Sequence, residues 1–403
     1  MNSPTSPEIV VAGTGPAGLA AALDLARLGF RIILAGPVPR DDDERTTALM
    51  RPALAILQRI GVFDALIGKA APLEVMRIVD ATRRLIRSPV ATFRAAEIGE
   101  EYFGLNIPNR QLNQALRAAV LARPEIEWRR SLVEGWVIGQ DEIVAKLADG
   151  ARVAAALAVA ADGRLSPARE SAGIAVSTRS FPQSAFVVNF GHSRGHGFIS
   201  TEFHTETGPF TQVPLPGRRS SLVWVVRPET AAELAALDDA ALSRRIEDRM
   251  QSMLGRVSVE PGRQIYPLTA TVPARFAANR VALVGEAAHV FPPIGAQGLN
   301  LGMRDISDLS RIAAENRDDP GSGKALAAYD RERRPDILAR AGAVSLLNIS
   351  LLSDMLPAQL ARSAGLGLLG RIAPLRAFFM REGLQPGSGL ASILSDLRDQ
   401  IRR

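Results

Sequence analysis

The sequence predicts an α/β fold: a nucleotide-binding domain carrying an inserted, mostly antiparallel β-sheet and followed by a helical C-terminal region. Three observations lead there. Near the start, an apolar run ends in a Gly-x-Gly-x-x-Gly turn followed by a helix-forming stretch. Two later apolar runs end at a glycine in the same way. Residues from about 180 to 270 alternate apolar with polar and are rich in Thr, Val, Phe and Ser, the texture of half-buried strands.

Ile9-Val10-Val11-Ala12 reads as a short buried strand, followed at once by Gly13-Thr14-Gly15-Pro16-Ala17-Gly18. Residues 19–28 are strong helix formers, Gly29 supplies a stop, and Ile32-Ile33-Leu34 reads as a second buried strand. This is a β-α-β unit of about 30 residues, the Rossmann-like start of a dinucleotide-binding domain. Gly13 permits the tight turn, Gly15 lets the backbone approach a pyrophosphate, and Gly18 lets the helix pack closely on the strand. Free N–H groups at the helix start then meet the phosphate charge. The same string recurs at Gly365, Gly367 and Gly370, but no strand precedes it, so that copy is a chance match. An acid ordinarily closes the second strand and binds the ribose hydroxyls. Here that position is Ala35, and Asp41, Asp42, Asp43 and Glu44 follow only after a Pro-containing turn, where they read as a solvated loop.

Leu157-Ala158-Val159-Ala160-Ala161 ends in Asp162-Gly163, and Val281-Ala282-Leu283-Val284 ends in Gly285-Glu286. Both read as buried strands delivering their C-terminal ends to one edge, where open α/β sheets place ligands. Between them, Phe186-Val187-Val188-Asn189-Phe190 and Ser221-Leu222-Val223-Trp224-Val225-Val226 typify the inserted sheet, with Pro214-Leu215-Pro216-Gly217 as turn punctuation. Residues 231–250 interrupt it as a helical element. After about 340 the chain is Leu-rich and helical. The domain division that follows is discontinuous. Residues 1–72, 99–178 and 270–340 form the nucleotide-binding domain, 73–98 and 179–269 the inserted one, and 341–403 the helical C-terminal region.

Composition narrows the chemistry. The 403 residues are 47% apolar and 22% charged, which is globular, and there is no cysteine. Disulfides, thiolate nucleophiles, thiolate zinc sites and cysteine-held iron–sulfur clusters are therefore excluded. The net charge is +6, nearly all of the basic residues being arginine, since the only lysines are Lys69, Lys146 and Lys324. That excess, spread over a long chain without a nucleic-acid motif, argues against nucleic acid as a partner. The first seven residues contain no basic or apolar segment of a signal peptide, and no apolar stretch is long enough to span a bilayer. The expectation is a cytoplasmic protein.

At Gly285-Glu286-Ala287-Ala288-His289, followed by Pro292-Pro293-Ile294-Gly295-Ala296-Gln297-Gly298-Leu299-Asn300-Leu301-Gly302, the chain resembles the single-component FAD aromatic hydroxylases, the p-hydroxybenzoate hydroxylase-like group. It is most similar to their ubiquinone-biosynthesis branch. The resemblance covers most of the chain. It takes in the opening glycine turn, Arg45-Thr46-Thr47-Ala48-Leu49, Asn109-Arg110-Gln111-Leu112, the segment Asp162-Gly163-Arg164 through Arg169, Leu222-Val223-Trp224, and Tyr266-Pro267-Leu268.

The resemblance implies an FAD-binding domain, with the inserted sheet as the substrate domain. It implies that Gly13, Gly15, Pro16, Ala17, Gly18, Arg45, Arg110, Asp162, Gly285 and Glu286 bind the cofactor. Gly295, Ala296, Gln297, Gly298, Leu299 and Asn300 complete that set, while Pro292, Pro293 and Gly295 position the loop at the flavin. Asp162 and Arg169 match a motif associated with both FAD and pyridine-nucleotide binding. Glu286 stands where the family usually has aspartate. A helix beginning near Gln297 would turn backbone amides and a positive dipole end toward the flavin.

The implied reaction reduces FAD with NADH or NADPH, then uses O2 to form a C4a-hydroperoxide that hydroxylates a phenolic ring. The cofactor carries that chemistry, so no acid–base set is assigned. The expected substrate is a small hydrophobic phenol, polyprenylated in the family's ubiquinone branch, and the expected partner a ubiquinone-biosynthesis complex.

Other signals are weaker. His192, His196 and His204 read as surface histidines of hairpins rather than a metal site, since i,i+4 spacing defines no common face in a strand. His289 reads as a structural residue near the cofactor, and Tyr266 as a core tyrosine rather than a phenol base. Gly321-Ser322-Gly323-Lys324 resembles a P-loop end but has Asp318 where the upstream glycine belongs. Residues 355–381 contain Arg362, Arg371, Arg376 and Arg381 and no acid. They read either as helices packed on the FAD domain or as a basic, apolar surface touching the inner membrane face peripherally. Alternative functions on the same fold are an FAD-dependent reductase or a halogenase, although no tryptophan motif of the latter is present. A third is a non-catalytic flavin-binding accessory protein of a membrane biosynthetic complex.

Overall fold

A computed structural model describes residues 8–82, 87–293, 297–352 and 372–384. Its central sheet runs Ala277–Ala278, Val281–Leu283, Leu157–Ala160, Glu8–Ala12, Arg31–Ala35, Ile126–Arg129. Every neighbouring pair is parallel except the two-residue strand 277–278, which runs antiparallel to 281–283. The apolar runs read from the sequence are thus adjacent parallel strands, and Ile9, Val10, Leu157, Val159 and Leu283 are fully buried. Burial on both faces is what a parallel sheet requires. The helix Pro16–Arg27 covers one face, burying Gly18 through Ala26, and packs against the helix Gln297–Glu315.

The large sheet contains Val257–Val259, Val176–His192, Arg219–Val226, Gly208–Leu215, Ile199–Thr205, Val75–Asp80 and Ala91–Arg94, with Gln264–Pro273 paired to the long strand 176–192. It is antiparallel throughout, except that 75–80 runs parallel to 199–205. Strands 75–80 and 91–94 thereby join the sheet formed by the later insertion. Strand alternation gives the sheet two faces. Phe186, Phe190, Phe210, Leu222 and Trp224 pack on one face against the helices Pro228–Ala236 and Asp239–Arg249. The helical element expected at 231–250 is therefore two helices, broken where Asp238 caps the second by accepting the N–H of Ala241 at 2.7 Å.

The opposite face looks at the nucleotide-binding domain. Ser221 Oγ accepts from Thr46 Oγ1 at 3.0 Å, Asn106 Nδ2 donates to the Pro214 carbonyl at 2.8 Å, and Asn189 Nδ2 donates to the Glu44 carbonyl at 2.7 Å. Thr46 and Asn106 belong to a small antiparallel sheet of Thr46–Met50, Gly104–Pro108 and Ala71–Pro72 that lies between the two larger sheets.

One expectation needs correction. His192, His196 and His204 are buried rather than on the surface. His192 bonds the Arg194 carbonyl at 2.6 Å and Ser220 Oγ at 3.0 Å, and His196 bonds the Leu215 carbonyl at 3.0 Å. His192 and His204 lie in paired strands, and His196, in the loop between strands 176–192 and 199–205, is held against the end of strand 208–215. Of the arginine-rich tail, the second glycine string, Arg362 and Arg371 lie outside the described residues. In the described helix Ala373–Leu384, Met380 packs against Ala95 and Phe103, and Arg376 pairs with Glu97 at 2.6 Å. That part of the tail is docked on the protein with one of its cations neutralised. No helix among the described residues is long and apolar enough to cross a membrane.

Candidate functional site

Three adjacent strands of the central sheet end at one edge, and each end is a turn. Strand 8–12 leads to Gly13, strand 157–160 to Asp162, and strand 281–283 to Gly285. Gly13 has φ +108° and would place a Cβ 2.2 Å from the Ala161 carbonyl oxygen. A Cβ on Gly18 would sit 2.0 Å from the Gly13 carbonyl oxygen, so both glycines are required by close packing. Gly15 differs. A Cβ there would meet none of the described residues within 4 Å, so its backbone borders space that they leave open. The first intrahelical bond runs from Leu19 N–H to Gly15 O at 3.0 Å. The N–H groups of Ala17 and Gly18 precede it in the first turn and have no intrahelical acceptor, while Pro16 has no N–H to satisfy. Gly285 lies beside this helix start, since its Cβ would come 2.9 Å from that of Ala17.

A cleft of about 410 Å³ opens here, walled by Gly15, Pro16, Arg40, Asp42, Asp43, Arg45, Asn113, Gln264 and Tyr266. Arg45 donates to Asp43 through Nε and Nη2, both at 2.7 Å, and Asn109 Nδ2 donates to the same carboxylate at 3.1 Å. Burial raises the Asp43 carboxyl, but these donors outweigh it and hold it below the usual carboxylate range. Hydrogen bonding to Asp43 in turn holds Arg45 more firmly protonated than usual, against its burial. The acidic run after Ala35 is therefore not all solvated loop. Asp41, Asp42 and Glu44 are exposed, whereas Asp43 is folded into the cleft wall. Asn113 Oδ1, also in the wall, is buried without a donor among the described residues. Arg110 is exposed, lies outside this wall and makes no ion pair among the described residues. Tyr266, read from sequence as a core residue, lines the cleft, with the Arg45 guanidinium 5.9 Å from its ring and its hydroxyl donating to Gln264.

At the second turn, Asp162 Oδ2 accepts the N–H of Ala168 at 3.1 Å, while Oδ1 is buried with no partner among the described residues. Burial raises this carboxyl despite the Ser166 hydroxyl and backbone donors. Arg169 is buried and donates to the carbonyls of Ala287 at 2.8 Å and Arg164 at 2.8 Å. Its guanidinium is spent on joining the second and third turns. Glu286 is exposed and paired with Arg164 at 3.3 Å.

Beneath the third turn lies a charged network. Asp305 Oδ2 accepts the Gly285 N–H at 3.0 Å and meets His289 Nε2 at 2.7 Å, and Asp305 Oδ1 accepts Arg333 Nε at 2.8 Å. Asp305 and His289 have fully buried side chains. Burial raises Asp305, yet His289 and Arg333 hold it below the usual range. Arg333 also reaches Asp308 at 3.0 Å and Asp336 at 3.1 Å. Sequence reading passed over Asp305 and Arg333, although a signal existed. Asp305 falls on the helical stripe of Leu301, Leu309 and Ile312, where a buried acid demands partners.

The loop after His289 is described at Pro292, which is buried, and Pro293, which is exposed; Gly295 and Ala296 lie outside the described residues. The helix begins at Gln297 as expected, with Gly298 open to solvent and Leu299 packed on the core. Asn300 Nδ2 donates to the Ala48 carbonyl at 2.8 Å and Oδ1 accepts the Met50 N–H at 2.8 Å. The carboxamide thus clips strand 46–50, which follows Arg45, to the helix start; it supports the site rather than offering these side-chain atoms to a ligand.

Among known proteins, the family described as FAD binding domain matches residues 6–341. The ubiquinone hydroxylase UbiL of Rhodospirillum rubrum is 35% identical over 395 residues, spanning 94% of this chain and 89% of that protein. The 3-demethoxyubiquinol 3-hydroxylase of Escherichia coli is 29% identical over 408 residues, spanning 96% of this chain and all of that protein, 100%. The crystal structure of p-nitrophenol 4-monooxygenase PnpA from Pseudomonas putida DLL-E4 superposes with a TM-score of 0.75 at 23% identity, covering 96% of this chain and 98% of that one. At that identity the likeness concerns the fold.

Proposed function

The chain belongs to the FAD-binding domain family, and from that premise we infer that it is an FAD-dependent monooxygenase of ubiquinone biosynthesis, hydroxylating a polyprenylated phenolic ring with NADH or NADPH and O2. The observation that supports this reading is the meeting of three strand-end turns at one sheet edge, with a cleft beside the first of them walled by Gly15, Pro16 and Arg45. Gly15 leaves room for a pyrophosphate, and the first-turn amides face it. Arg45 supplies a cation in the wall, and Asn113 Oδ1 and Asp162 Oδ1 are buried acceptors awaiting donors such as sugar or ribityl hydroxyls.

A bound FAD supplies the electron transfer from the nicotinamide and the activation of oxygen. The chain supplies the rest. Gly13, Gly15, Pro16, Ala17 and Gly18 seat the phosphates, with Arg45 opposite. Asp162, Gly285 and Glu286 take the sugar-like chain between phosphate and ring. Pro292, Pro293, Gly295 and Ala296 shape the loop at the ring, and Gln297, Gly298, Leu299 and Asn300 bring a positive helix end to it. Arg110 stays in this set through its motif alone. The domain division belongs to this proposal as well; strands 176–192 and 264–273 run through its boundaries and connect the FAD-binding and substrate domains. So do a cytoplasmic location, possible contact of residues 355–381 with the inner membrane face, and association with a biosynthetic complex.

The test is direct. Purified protein should be yellow, release FAD on denaturation, and oxidise NADH or NADPH faster when a prenylphenol is added, with a product heavier by one oxygen. Protein without bound flavin refutes the whole reading. A yellow protein that never yields hydroxylated product refutes the monooxygenase. Restoring ubiquinone in a hydroxylase-deficient strain, with the accumulated intermediate identified by mass, assigns the ring position.

A further inference from the structure

The large sheet carries one row of side chains that its neighbours leave open. Strand register places Gln264, Val187, Val223, Thr211, Glu202 and Ile78 side by side on the face turned toward the FAD-binding domain. All six are half-buried, whereas Ala185, Val225, Pro209 and His204 in the row beside them are buried. The open row begins at the dinucleotide cleft, because Gln264 lines both. It is apolar at Val187, Val223 and Ile78, and its one charged group is Glu202.

That group is held from behind. His204 Nε2 meets Glu202 Oε1 at 2.8 Å, with the His204 side chain 6% and the Glu202 side chain 19% exposed. Thr211 Oγ1 donates to Glu202 Oε2 at 3.3 Å, a long bond that leaves acceptor capacity on the open side. The neighbouring acid on this face, Asp80, is occupied by the N–H and hydroxyl of Thr82 and the N–H of Ser88. At the far end, Ile78 adjoins Met76, which packs with Phe93 and Phe103, an apolar patch suited to a hydrocarbon substituent.

We propose that this row is the seat of the aromatic substrate and that the Glu202 carboxylate, positioned by His204, accepts the hydrogen bond of the ring hydroxyl. The proposal rests on the phenol-hydroxylase reading and names the substrate contact within it. A largely apolar floor with one oriented charged acceptor fixes a ring in one pose, whereas an apolar floor alone would not.

The test titrates FAD-loaded protein with a prenylphenol and with its O-methyl ether, following the flavin absorbance change. The ether fills the same space but has no hydrogen to donate. Wild type should bind the phenol at least about tenfold more tightly than the ether, as expected for a hydrogen bond to a charged acceptor. In Glu202→Leu that preference should vanish with FAD affinity unchanged. Val223→Trp should fill the row and abolish binding of both compounds while retaining FAD. If Glu202→Leu keeps the preference, the anchor is overturned; if Val223→Trp binds both compounds as wild type does, the seat is. Either result leaves the monooxygenase reading standing when wild type still forms hydroxylated product. A wild type that never forms it removes that reading separately.

Discussion

Two alanine substitutions in one turn separate the part of the glycine motif that the fold needs from the part the cofactor needs. In Gly15→Ala the new methyl group meets none of the described residues within 4 Å, and φ of −68° is one that alanine adopts freely. The expected change in stability of the flavin-free protein is within about 1 kcal/mol, the cost of alanine at a helix N-cap. The same methyl points into the space a pyrophosphate must enter. Losing one charge-assisted hydrogen bond there costs about 1.5–3 kcal/mol, or roughly 10- to 100-fold in FAD affinity. Gly13→Ala reverses the pattern. Its Cβ would lie 2.2 Å from a carbonyl oxygen at φ +108°. Steric crowding and the unfavourable backbone together cost about 2–5 kcal/mol, before any ligand is considered. Thermal unfolding of the flavin-free proteins and quenching of FAD fluorescence on binding measure the two quantities independently. Gly15→Ala that binds FAD like wild type, or Gly13→Ala that melts like it, would refute the assignment of separate roles.

Three further perturbations follow from the same geometry. Arg45→Gln should weaken FAD binding about tenfold and shift the stability of the flavin-free protein by less than about 1 kcal/mol, because the ion pair with Asp43 is partly exposed; an unchanged FAD titration would remove Arg45 from the site. Asn300→Ala breaks both bonds to strand 46–50 and should cost about 1–3 kcal/mol in urea unfolding and speed the loss of FAD on dilution; a silent variant would mean the clip is redundant. Asp305→Asn should destabilise the protein by about 3–5 kcal/mol at pH 7, since it uncouples a buried charge from Arg333 and His289. The Asp305 carboxyl is held below its ordinary value when folded, so its contribution is complete above the unfolded value of about 4 and is lost as the pH falls below that. The gap between wild type and variant should therefore narrow from pH 4 downward, and a gap that stays constant in acid would contradict the assignment.

How much was legible varied with the range of the interactions involved. The strand–turn–helix opening, the strands ending at Asp162 and Gly285, the helix beginning at Gln297 and the alternating inserted sheet were all readable. Each is written in the local sequence of its own elements, as periodicity, glycine placement and turn chemistry. The misread positions share a different trait. Asp43 leaves the solvated loop because Asn109, far along the chain, donates to it. The three histidines are buried, and His192 and His196 bond Ser220 and the Leu215 carbonyl, groups about 20 to 30 residues further along the chain. Tyr266 faces a cleft because its strand pairs in a register that sends it there, and Arg169 serves two backbone carbonyls that no local pattern reveals.

By itself the sequence determined the class of fold, the place of the dinucleotide turn and the absence of any thiol chemistry. Those depend on local backbone preference and on composition, which the chain carries wherever it folds. Only the tertiary structure decided which polar groups are spent and which are left available. The Asn300 carboxamide closes a bond across some 250 residues, Asp305 is consumed by His289 and Arg333, and Glu202, held by His204 and Thr211, is the one charged group of its half-buried row. A buried polar group must find a partner, and the partner is chosen by packing between elements distant in sequence.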